Sequence, residues 1–404
     1  MLSMSTQHLI GGELRGSEHH HAEDEARAAC PVHQARMPNG IELTVVTAGL
    51  EQARQVLSDD RLSKDSGSIN AEQVRQLEAL GLPPGVSVMF GQSMLFSDDP
   101  QHRRLRKLAG LTFGTRRVQQ LRPHIERLTR DLIDTLPTGV PVDLITALAV
   151  PLPLQVICEL LGIPERDWPA LREWTEDLMT EDRELTLPAS RAIGAYFQHQ
   201  LLPAKRENPD DRLLSALVVA SADGDTLSAD ELLAMSVLLV TAGHESTTNL
   251  IGNVVYELLR RDLWGAVAAD TGLVDKAIEE TLRWDPPVRN TPHRIAREDL
   301  EIGGRTVPEG SLLVVNLGAP SRCPATVDQP DEFLLTRDES PHVTFGHGIH
   351  FCLGAHLARV ETQIVLRQLV QRFPHARLVT NEAPARRPSA IMSGYEYVHV
   401  VWES

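Results

Sequence analysis

Cys352 is the residue whose surroundings point most directly to chemistry. It lies within Phe345–Arg359, a segment in which Gly346, Gly348 and Gly354 surround a single thiol. Glycines allow the backbone to bend tightly around one side chain, and a helical pattern begins directly after the cysteine. The free N–H groups and the dipole at a helix N-terminus favour a thiolate there. Such a thiolate is a good axial ligand for haem iron, whereas a buried structural cysteine in a tight turn is the alternative.

A second group of polar side chains lies in the middle of a long apolar helix predicted over residues 228–261. Ser228-Ala-Asp-Glu231 is a capping box that starts this helix, and the residues that follow are apolar on nearly every side, as in a core helix. In its middle stands Ala242-Gly-His-Glu-Ser-Thr-Thr248. An acid and three hydroxyls inside a buried helix cost free energy unless they are used. A polar patch at a helix crossing is the alternative.

Two charged pairs have the spacing of neighbours on a helix. His102 and Arg106 are four residues apart and can reach the same anionic group. Glu280 and Arg283 are three residues apart and can form an ion pair. An exposed ion pair or surface cation is the alternative for both pairs, because arginine usually stays exposed.

The elements that must hold these residues are mostly helices. Periodicity predicts helices at about 50–58, 100–109, 116–135, 141–162, 166–179, 189–205, 211–220, 229–261, 272–284 and 354–373. Strand patterns are few, at 40–48, Leu300–Ile302, Leu312–Val315 and Tyr395–Val401. We therefore expect one large, mainly α domain with small β-sheets over residues 36–404. Residues 1–35 are polar and irregular, which predicts a flexible tail that contains His19–His21 without a metal site.

Composition excludes several classes of protein. The 404 residues carry a net charge of −16 and only 4% aromatic residues, which argues against a general nucleic-acid binder. The four cysteines have no C-x-x-C spacing and form no disulfide framework. No apolar run approaches the ~18 residues of a membrane helix, and the N-terminus lacks a signal-peptide core. The sequence thus predicts a soluble, cytoplasmic protein with no membrane partner.

The cysteine segment closely resembles the haem-binding loop of the cytochrome P-450 superfamily. The matching pattern is Phe345-x-x-Gly348-x-x-x-Cys352-x-Gly354. The resemblance implies haem b as cofactor, with the Cys352 thiolate as its axial ligand, and dioxygen as co-substrate. It implies that Phe345 packs near this ligand and that His350 bonds a haem propionate. The glycines, including Gly354, keep backbone amides close to the sulfur, where their hydrogen bonds moderate its electron donation.

The polar segment of the long helix is similar to the family's proton-delivery motif, Ala/Gly-Gly-x-acid-Thr. Glu245 matches the acid, and Ser246 stands where threonine is usual. The resemblance implies that this pair delivers protons to dioxygen. Serine keeps the hydroxyl but loses the methyl that restrains χ1. Thr247 is expected to point ~100° away around the helix.

The two charged pairs also match family segments. His102 and Arg106 correspond to propionate-binding positions, as does Arg294 further along the chain. Glu280 and Arg283 resemble the family's Glu-x-x-Arg helix, and Arg337 stands where a third basic residue closes a buried network. We expect that network to support the haem loop and to take no part in the chemistry.

The resemblance extends from about Leu43 to Trp402 and is to the soluble bacterial members, of the actinobacterial natural-product type. It implies a single large multi-helix domain of the cytochrome P-450 fold, with the haem between the long central helix and the Cys-loop helix. The implied activity is hydroxylation of a small, mostly apolar molecule of secondary metabolism. Oxidative C–C or C–N coupling of an aromatic, peptide-derived metabolite is an alternative, and a non-enzymatic haem-thiolate sensor is a third.

The resemblance implies partners as well. The chain has no flavin or ferredoxin motif, so electrons are expected from a separate ferredoxin and ferredoxin reductase, with the protein itself a monomer. Seven basic residues form either a docking face for ferredoxin or merely a solvated face: Lys64, Arg103, Arg104, Arg106, Lys107, Arg116 and Arg117. Substrate-contact candidates, each equally an ordinary core residue, are Met89, Leu239, Ala242, Val288 and Met392.

Overall fold

Helices are the main secondary structure of the described residues, and the prediction of a mainly α protein with small sheets is confirmed. The computed structural model describes residues 9–10, 15–36, 42–65, 91–178, 180, 182–220 and 227–403. Its α-helices are α1 (Glu18–Ala29), α2 (Leu50–Ser58), α3 (Gln101–Phe113), α4 (Thr115–Asp134), α5 (Pro151–Leu161), α6 (Trp168–Leu178), α7 (Arg183–Tyr196), α8 (Leu202–Glu207), α9 (Leu213–Ala220), α10 (Ala229–Arg260), α11 (Trp264–Ala269), α12 (Leu273–Trp284), α13 (Gly318–Ser321) and α14 (Ala355–Arg372). Short 3₁₀ or π turns lie at Met94–Phe96, Ile145–Ala149, Glu165–Asp167, Phe197–Leu201 and Gly348–His350.

Three small sheets complete the fold of the described residues. Their strands are β1 (Val32–Arg36), β2 (Glu42–Val46), β3 (Leu62–Ser63), β4 (Pro141–Asp143), β5 (Arg294–Ala296), β6 (Leu300–Ile302), β7 (Arg305–Val307), β8 (Leu312–Val315), β9 (Arg377–Leu378) and β10 (His399–Val401). The largest sheet has the order β1-β2-β8-β5-β3. In it β2 and β8 pair in parallel, with Val45 opposite Val314. The sheet therefore joins the start of the chain to the segment that precedes the cysteine loop.

The long helix α10 runs through the core, as its apolar sequence predicts. The Ser228 side chain accepts a hydrogen bond from the Glu231 N–H at 3.1 Å, and the Glu231 carboxylate accepts one from the Ser228 N–H at 2.9 Å, so the capping box is complete. At 32 residues the helix is ~48 Å long. Gly243 lets α5 approach closely, since a Cβ at this position would lie 2.7 Å from Ile157 Cγ1. Any larger residue would push the two helices apart.

Helices α4, α10 and α12 all pack against α14, the helix that follows the cysteine loop. Aliphatic residues from these helices share the largest buried cluster with Trp264, Trp284 and Trp402. This packing holds α14 and α10 in a fixed relative position. The loop that enters α14 is thus presented to the middle of α10.

The flexible tail predicted for residues 1–35 is wrong for its described part. Residues 18–29 form α1, and His19 and His20 are buried. The His20 ring packs edge-on against Trp284 at 4.7 Å between ring centroids, and His19 Nε2 lies 3.4 Å from Asp285 Oδ1. These partners are remote in sequence, so the local polar pattern gave no sign of them. The domain therefore includes α1.

The histidine ligand atoms and the Asp285 carboxylate lie within 4.8 Å of one another, which is a geometry that a metal ion can use. Burial, reinforced by the charges of Arg289, Arg386 and Arg322, lowers the pKa of His19 well below its ordinary value. A cation placed among three arginines would be repelled. We therefore regard this cluster as a packing contact between α1 and the core.

Within the described ranges, no helix is both long and apolar enough to cross a membrane.

Candidate active site

A cavity of about 260 Å³ lies between the middle of α10 and the cysteine loop. Its walls are mainly apolar, with polar side chains at a few places. The described residues that line it are Leu57, Lys64, Met94, Leu95, His102, Arg106, Phe113, Leu238, Leu239, Ala242, Gly243, Ser246, Thr247, Leu250, Pro287, Val288, Thr291, Pro292, Arg294, Leu317, Thr344, Phe345, Gly346, His347, His350, Phe351, Cys352, Leu353, Gly354, Leu357, Ala358 and Glu361. All seven residues predicted to bind the cofactor are among them.

The cysteine loop is closed by its own backbone. The Cys352 N–H donates to the Phe345 carbonyl oxygen at 2.8 Å, and α14 begins three residues after the cysteine. Gly346 and Gly348 have φ of +74° and +72°, the left-handed region that favours glycine. A Cβ on Gly348 would also lie 3.0 Å from Ser58 Oγ of α2. The glycine spacing read from the sequence is therefore required by the loop.

The Cys352 thiol is on the cavity wall, and its accessible surface opens there. Burial raises the pKa of this thiol, while the N–H groups of Gly354 and Ala355 and the charge of Arg106 oppose that effect. A coordinated metal ion supplies the missing positive charge and deprotonates a thiol outright. The Cys352 thiol, placed near the N-terminus of α14, is therefore suited to be a metal ligand.

Five basic side chains meet at one end of the cavity: Lys64, His102, Arg106, Arg294 and His350. The ring centroids of the two histidines are 4.3 Å apart. Burial lowers the pKa of each of the five, to about 10 for Arg294 and to about 2 for His350, where the nearby cations add to the effect. Asp99 lies 3.7 Å from His102, and Asp98 partly offsets the effect on Lys64 and Arg294, but the described cavity wall itself holds no Asp or Glu that pairs with the five.

An orphaned hydrogen-bond donor supports the same conclusion. The Arg294 Nε is buried with no hydrogen-bond partner among the described residues. Cys352 and Glu361 are the acidic side chains of the described cavity wall, and neither forms an ion pair with the basic cluster. A cofactor with carboxylate groups would satisfy these donors. The two propionates of haem fit this requirement, and the thiol opposite fits its iron.

Lys64 belongs to this cluster although its sequence context suggests a surface cation. It is 3% exposed, and its Nζ donates to the Pro292 carbonyl oxygen at 3.2 Å. The prediction that it helps form an external basic face is therefore wrong. Its position depends on β3 pairing with β5, which no local pattern reveals.

The proton-delivery residues are placed differently from one another. Ser246 lines the cavity, but Glu245 does not: its carboxylate lies 3.5 Å from His244 Nε2 and 3.7 Å from Arg387 Nη1. Burial would raise the pKa of Glu245, yet His244 and Arg387 bring it below its ordinary value. Thr247 also lines the cavity, against the expectation that it points away. Two adjacent hydroxyls thus face the site.

Three of the five substrate-contact candidates line the cavity: Leu239, Ala242 and Val288. Met392 does not; it is half-buried and bridges to Val288 through the backbone. Met89 lies outside the described residues. Lining residues that the sequence did not single out include Met94, Leu95 and Leu317. None of the described residues of 168–200, where substrate contacts were also expected, lies on the wall.

The network around Glu280 forms as predicted. Arg283 Nε and Nη2 each donate to the Glu280 carboxylate at 2.8 Å, and Arg337 Nε lies 3.2 Å from its Oε2. The Leu334 N–H and the Ser340 hydroxyl add hydrogen bonds to the same carboxylate at 2.9 and 2.8 Å. Glu280 and Arg283 are fully buried. The network fixes α12 to the segment that leads into the cysteine loop.

A helical domain whose cysteine loop faces a long central helix across a cation-edged cavity defines a haem-thiolate oxidoreductase. The chain belongs to the cytochrome P-450 family, and it is a monooxygenase of that family. The family model, described as "Cytochrome P-450", matches residues 269–397.

Relatives extend the match to almost the whole chain. Cytochrome P-450 107B1 of Saccharopolyspora erythraea is 43% identical over 92% of this chain and 92% of its own. The vitamin D(3) 25-hydroxylase of Pseudonocardia autotrophica is 39% identical over 89% of this chain and 87% of its own. The tirandamycin C-bound P-450 monooxygenase TamI has a TM-score of 0.89 and 35% identity, covering 96% and 98% of the two chains.

Membership of the family brings haem with a cysteine thiolate ligand and the use of dioxygen. When bound, the haem supplies dioxygen activation and electron transfer, and the protein supplies ligand, orientation and protons.

Proposed function

We propose that this enzyme hydroxylates a small, mostly apolar molecule of secondary metabolism, with Cys352 as the thiolate ligand. One observation carries the proposal: the same cavity is lined by Cys352, by Ser246 and Thr247 of α10 and by the basic cluster of Lys64, His102, Arg106, Arg294 and His350. This division matches the three needs of the reaction, namely a metal ligand, a proton path and an anchor for the cofactor.

Each cofactor-binding residue has a distinct task in this proposal. His102, Arg106, Arg294 and His350 bind the propionates, where charge-assisted hydrogen bonds are strongest. Lys64 helps to neutralise the negative charge of the propionates. Phe345 closes the loop below the sulfur, and Arg359 lies over its ring at 4.4 Å. Gly354 leaves its N–H free to moderate the thiolate.

The substrate class follows from the wall above the cofactor site. Met94, Leu95, Leu239, Ala242 and Val288 are apolar, so binding energy comes mainly from removing apolar surface from water. Two compared proteins carry names that refer to vitamin D(3) and to tirandamycin C. The first is named a hydroxylase and the second a monooxygenase, which supports hydroxylation of a small molecule. Coupling and the sensor role are therefore not favoured.

Proton delivery is expected to run through the hydroxyls that reach the cavity. Ser246 is nearest in sequence to the acid, but Glu245 is held outside the cavity by His244 and Arg387. In its present position Glu245 must act through Ser246 or rotate toward the site. Removing these hydroxyls should therefore impair proton delivery most directly.

Ser246→Ala is expected to lower hydroxylated product per electron consumed by at least about tenfold, with peroxide made instead, because general acid catalysis contributes ~10²–10⁴. Thr248→Val is the matched control, since its hydroxyl donates to the Ala149 carbonyl and does not line the cavity. Substrates are first selected by their spin-state shift, and ¹⁸O₂ incorporation is then measured. Absence of ¹⁸O in the product of the wild-type enzyme would refute hydroxylation.

Electrons are proposed to come from a ferredoxin and its reductase that dock on the thiolate side of the molecule. Lys107 and Arg116 are exposed, and α4 lies beside the start of α14, where Gln119 Nε2 is 3.2 Å from His356 Nε2. Ile349 of the cysteine loop is 49% exposed and does not line the cavity. Exposed basic residues together with an exposed apolar residue suit an acidic partner.

The basic face is smaller than the sequence suggests. Arg104 is turned toward Glu231, Arg103 pairs with Asp99 at 2.7 Å, and Arg106 faces the cavity. Arg104→Glu would therefore disturb the start of α10 as well as the surface. It is not a clean probe of docking.

Lys107→Glu and Arg116→Glu are expected to slow reduction by an acidic ferredoxin about tenfold at low ionic strength, with the difference shrinking as salt is added. Substrate affinity should not change. Stopped-flow reduction measures the rate, and Arg305→Glu, an exposed reversal on β7, is the control. Equal rates for all variants at low salt would contradict the docking face.

The monomeric state and cytoplasmic location also stay predictions.

A further inference from the structure

The cavity segment 287–292 has two kinds of residue. Four of them line the described cavity wall: Pro287, Val288, Thr291 and Pro292. Arg289 and Asn290 are not on that wall, yet they are only 2% and 1% exposed. Buried polar and charged side chains need partners, because they have lost their hydration. The groups that bind Arg289 and Asn290 therefore help to determine where this part of the wall lies.

Asn290 is bonded to three remote parts of the chain. Its Nδ2 donates to the Leu9 carbonyl oxygen at 2.8 Å and to the Ala390 carbonyl oxygen at 2.7 Å. Its Oδ1 accepts a hydrogen bond from Asn316 Nδ2 at 3.2 Å. The amide group thus uses both of its N–H donors and its oxygen. These contacts allow a single orientation of the side chain behind the wall.

Glu23 of α1 connects Asn316 with Arg289. Its carboxylate is buried, and its Oε1 accepts a hydrogen bond from Asn316 Nδ2 at 3.1 Å and lies 3.6 Å from Arg289 Nε. Its Oε2 accepts one from Arg322 Nη2 at 2.7 Å. Burial lowers the pKa of Arg289 to about 10, and the charge of Glu23 opposes that change. One carboxylate therefore stabilises the buried charges behind the wall.

Main-chain hydrogen bonds link the cavity segment to a neighbouring strand that rests on the same carboxylate. The Thr291 N–H donates to the Val315 carbonyl oxygen at 2.9 Å, and the Leu317 N–H donates to the Arg289 carbonyl oxygen at 2.7 Å. Asn316 stands between these two partners and bonds the carboxylate of α1. A displacement of that carboxylate would therefore move the strand and the cavity segment together.

We propose that Glu23 is a positioning residue for substrate binding: by holding Arg289 and Asn316, it sets how far Val288 projects into the cavity. Glu23 itself is not on the described cavity wall, so it acts only through other residues. Val288 is a substrate contact in the proposed function, and the role of Glu23 rests on that function. Ligands large enough to reach Val288 should respond to Glu23, whereas a very small ligand should not.

The test uses holoenzyme and two azoles that bind haem iron through a ring nitrogen. Imidazole is small, whereas 4-phenylimidazole carries a phenyl ring that the cavity wall must accommodate. Titration of the haem absorption band gives a Kd for each azole without turnover. Glu23→Gln keeps the size and one carbonyl oxygen but removes the charge. We expect it to weaken 4-phenylimidazole binding at least fivefold, with imidazole binding changed less than twofold.

A double-mutant cycle with Val288→Ala separates positioning from a general structural effect. If Glu23 acts through Val288, Glu23→Gln should change 4-phenylimidazole affinity less than twofold once Val288 is alanine, because the two effects are not additive. Glu25→Gln is the matched control on the same helix. Its carboxylate is 57% exposed and pairs with the exposed His21 at 3.1 Å, so both azole affinities should stay unchanged.

Asn290→Ala tests the same wall if Glu23→Gln does not retain haem. It leaves no unpaired charge, and it should weaken 4-phenylimidazole relative to imidazole in the same direction. Haem content and the reduced carbon-monoxide band are measured for every variant, so that loss of cofactor is recognised separately.

Three results would overturn the proposal. They are an unchanged ratio of the two azole affinities in Glu23→Gln or, where that variant lacks haem, in Asn290→Ala; an equal loss for both azoles; and additive effects of Glu23→Gln and Val288→Ala. If the wild type inserts no oxygen from ¹⁸O₂, hydroxylation fails, and the azole affinities still decide whether Glu23 positions the wall.

Discussion

Cys352→Ser is expected to abolish the red-shifted absorption band that a thiolate-ligated haem gives when reduced and mixed with carbon monoxide. A serine hydroxyl stays protonated near neutral pH and cannot replace the electron-donating thiolate. The change should be complete rather than partial, because no other described cysteine lines the cavity. Monooxygenase activity should be lost with the band.

Cys323→Ser is the control for this result. Cys323 is half-buried near Gly49 and remote from the cavity wall, so its removal should leave the band intact. Haem content must be measured in parallel, since a variant that still holds haem without the band isolates the ligand. A wild-type protein that lacks the band, or a Cys352→Ser protein that keeps it, would disprove the assignment.

Much of the helical framework is predictable because its signals are local. The predicted helix at 50–58 is α2, and the predicted helix at 272–284 is α12 to within one residue. The capping box placed the start of α10 one residue after Ser228. Caps and a 3.6-residue period act within a few residues of one another, so a single sequence contains them.

The cofactor end of the site was also predictable, through spacing and family resemblance together. His102 and Arg106 share one helix face, and the glycines around Cys352 fix a particular loop. What the sequence could not provide was the rotation of each helix about its axis in the packed core. That rotation turns Thr247 into the cavity and Glu245 out of it.

Long-range pairing accounts for the other differences. Lys64 is buried because β3 pairs with β5, and α1 is ordered because His20 meets Trp284. The sequences of both segments predict polar surface, because a short stretch of sequence shows only the polarity of its own residues. A net charge of −16 likewise conceals a cluster of buried cations that only the tertiary structure assembles.

That cation cluster also explains how an acidic protein holds an acidic cofactor. The basic side chains are desolvated, which strengthens their interaction with a carboxylate compared with the same pair in water. The surface charge acts at longer range, where salt screens it. Cofactor retention and partner docking therefore depend on different charges and should respond differently to ionic strength.

Arg283→Ala is expected to destabilise the protein by about 3–5 kcal/mol, the usual result of breaking a buried ion pair. Removing this guanidinium leaves Glu280 buried with only Arg337 as cationic partner, and it leaves the carbonyl oxygens of Pro330 and Glu332 without their hydrogen bonds from Arg283. Urea unfolding of the holoenzyme measures the change, and haem content should fall with it. Arg377→Ala, which breaks the exposed pair with Glu403, should cost less than about 1 kcal/mol.

The pH dependence separates the Glu280 network from a mere packing effect. Burial would raise the pKa of Glu280, but the hydrogen bonds and charge of Arg283 hold it below its ordinary value of 4.5. A carboxyl whose pKa is lower in the folded than in the unfolded protein stabilises the fold above pH 4.5, and that contribution is lost as pH falls through the folded pKa. Arg283→Ala should therefore cost most near pH 7 and less at about pH 3, because the contribution of the ionised Glu280 is lost only below its ordinary pKa of 4.5. An effect of equal size at both pH values would mean that packing, and not charge, makes Arg283 necessary.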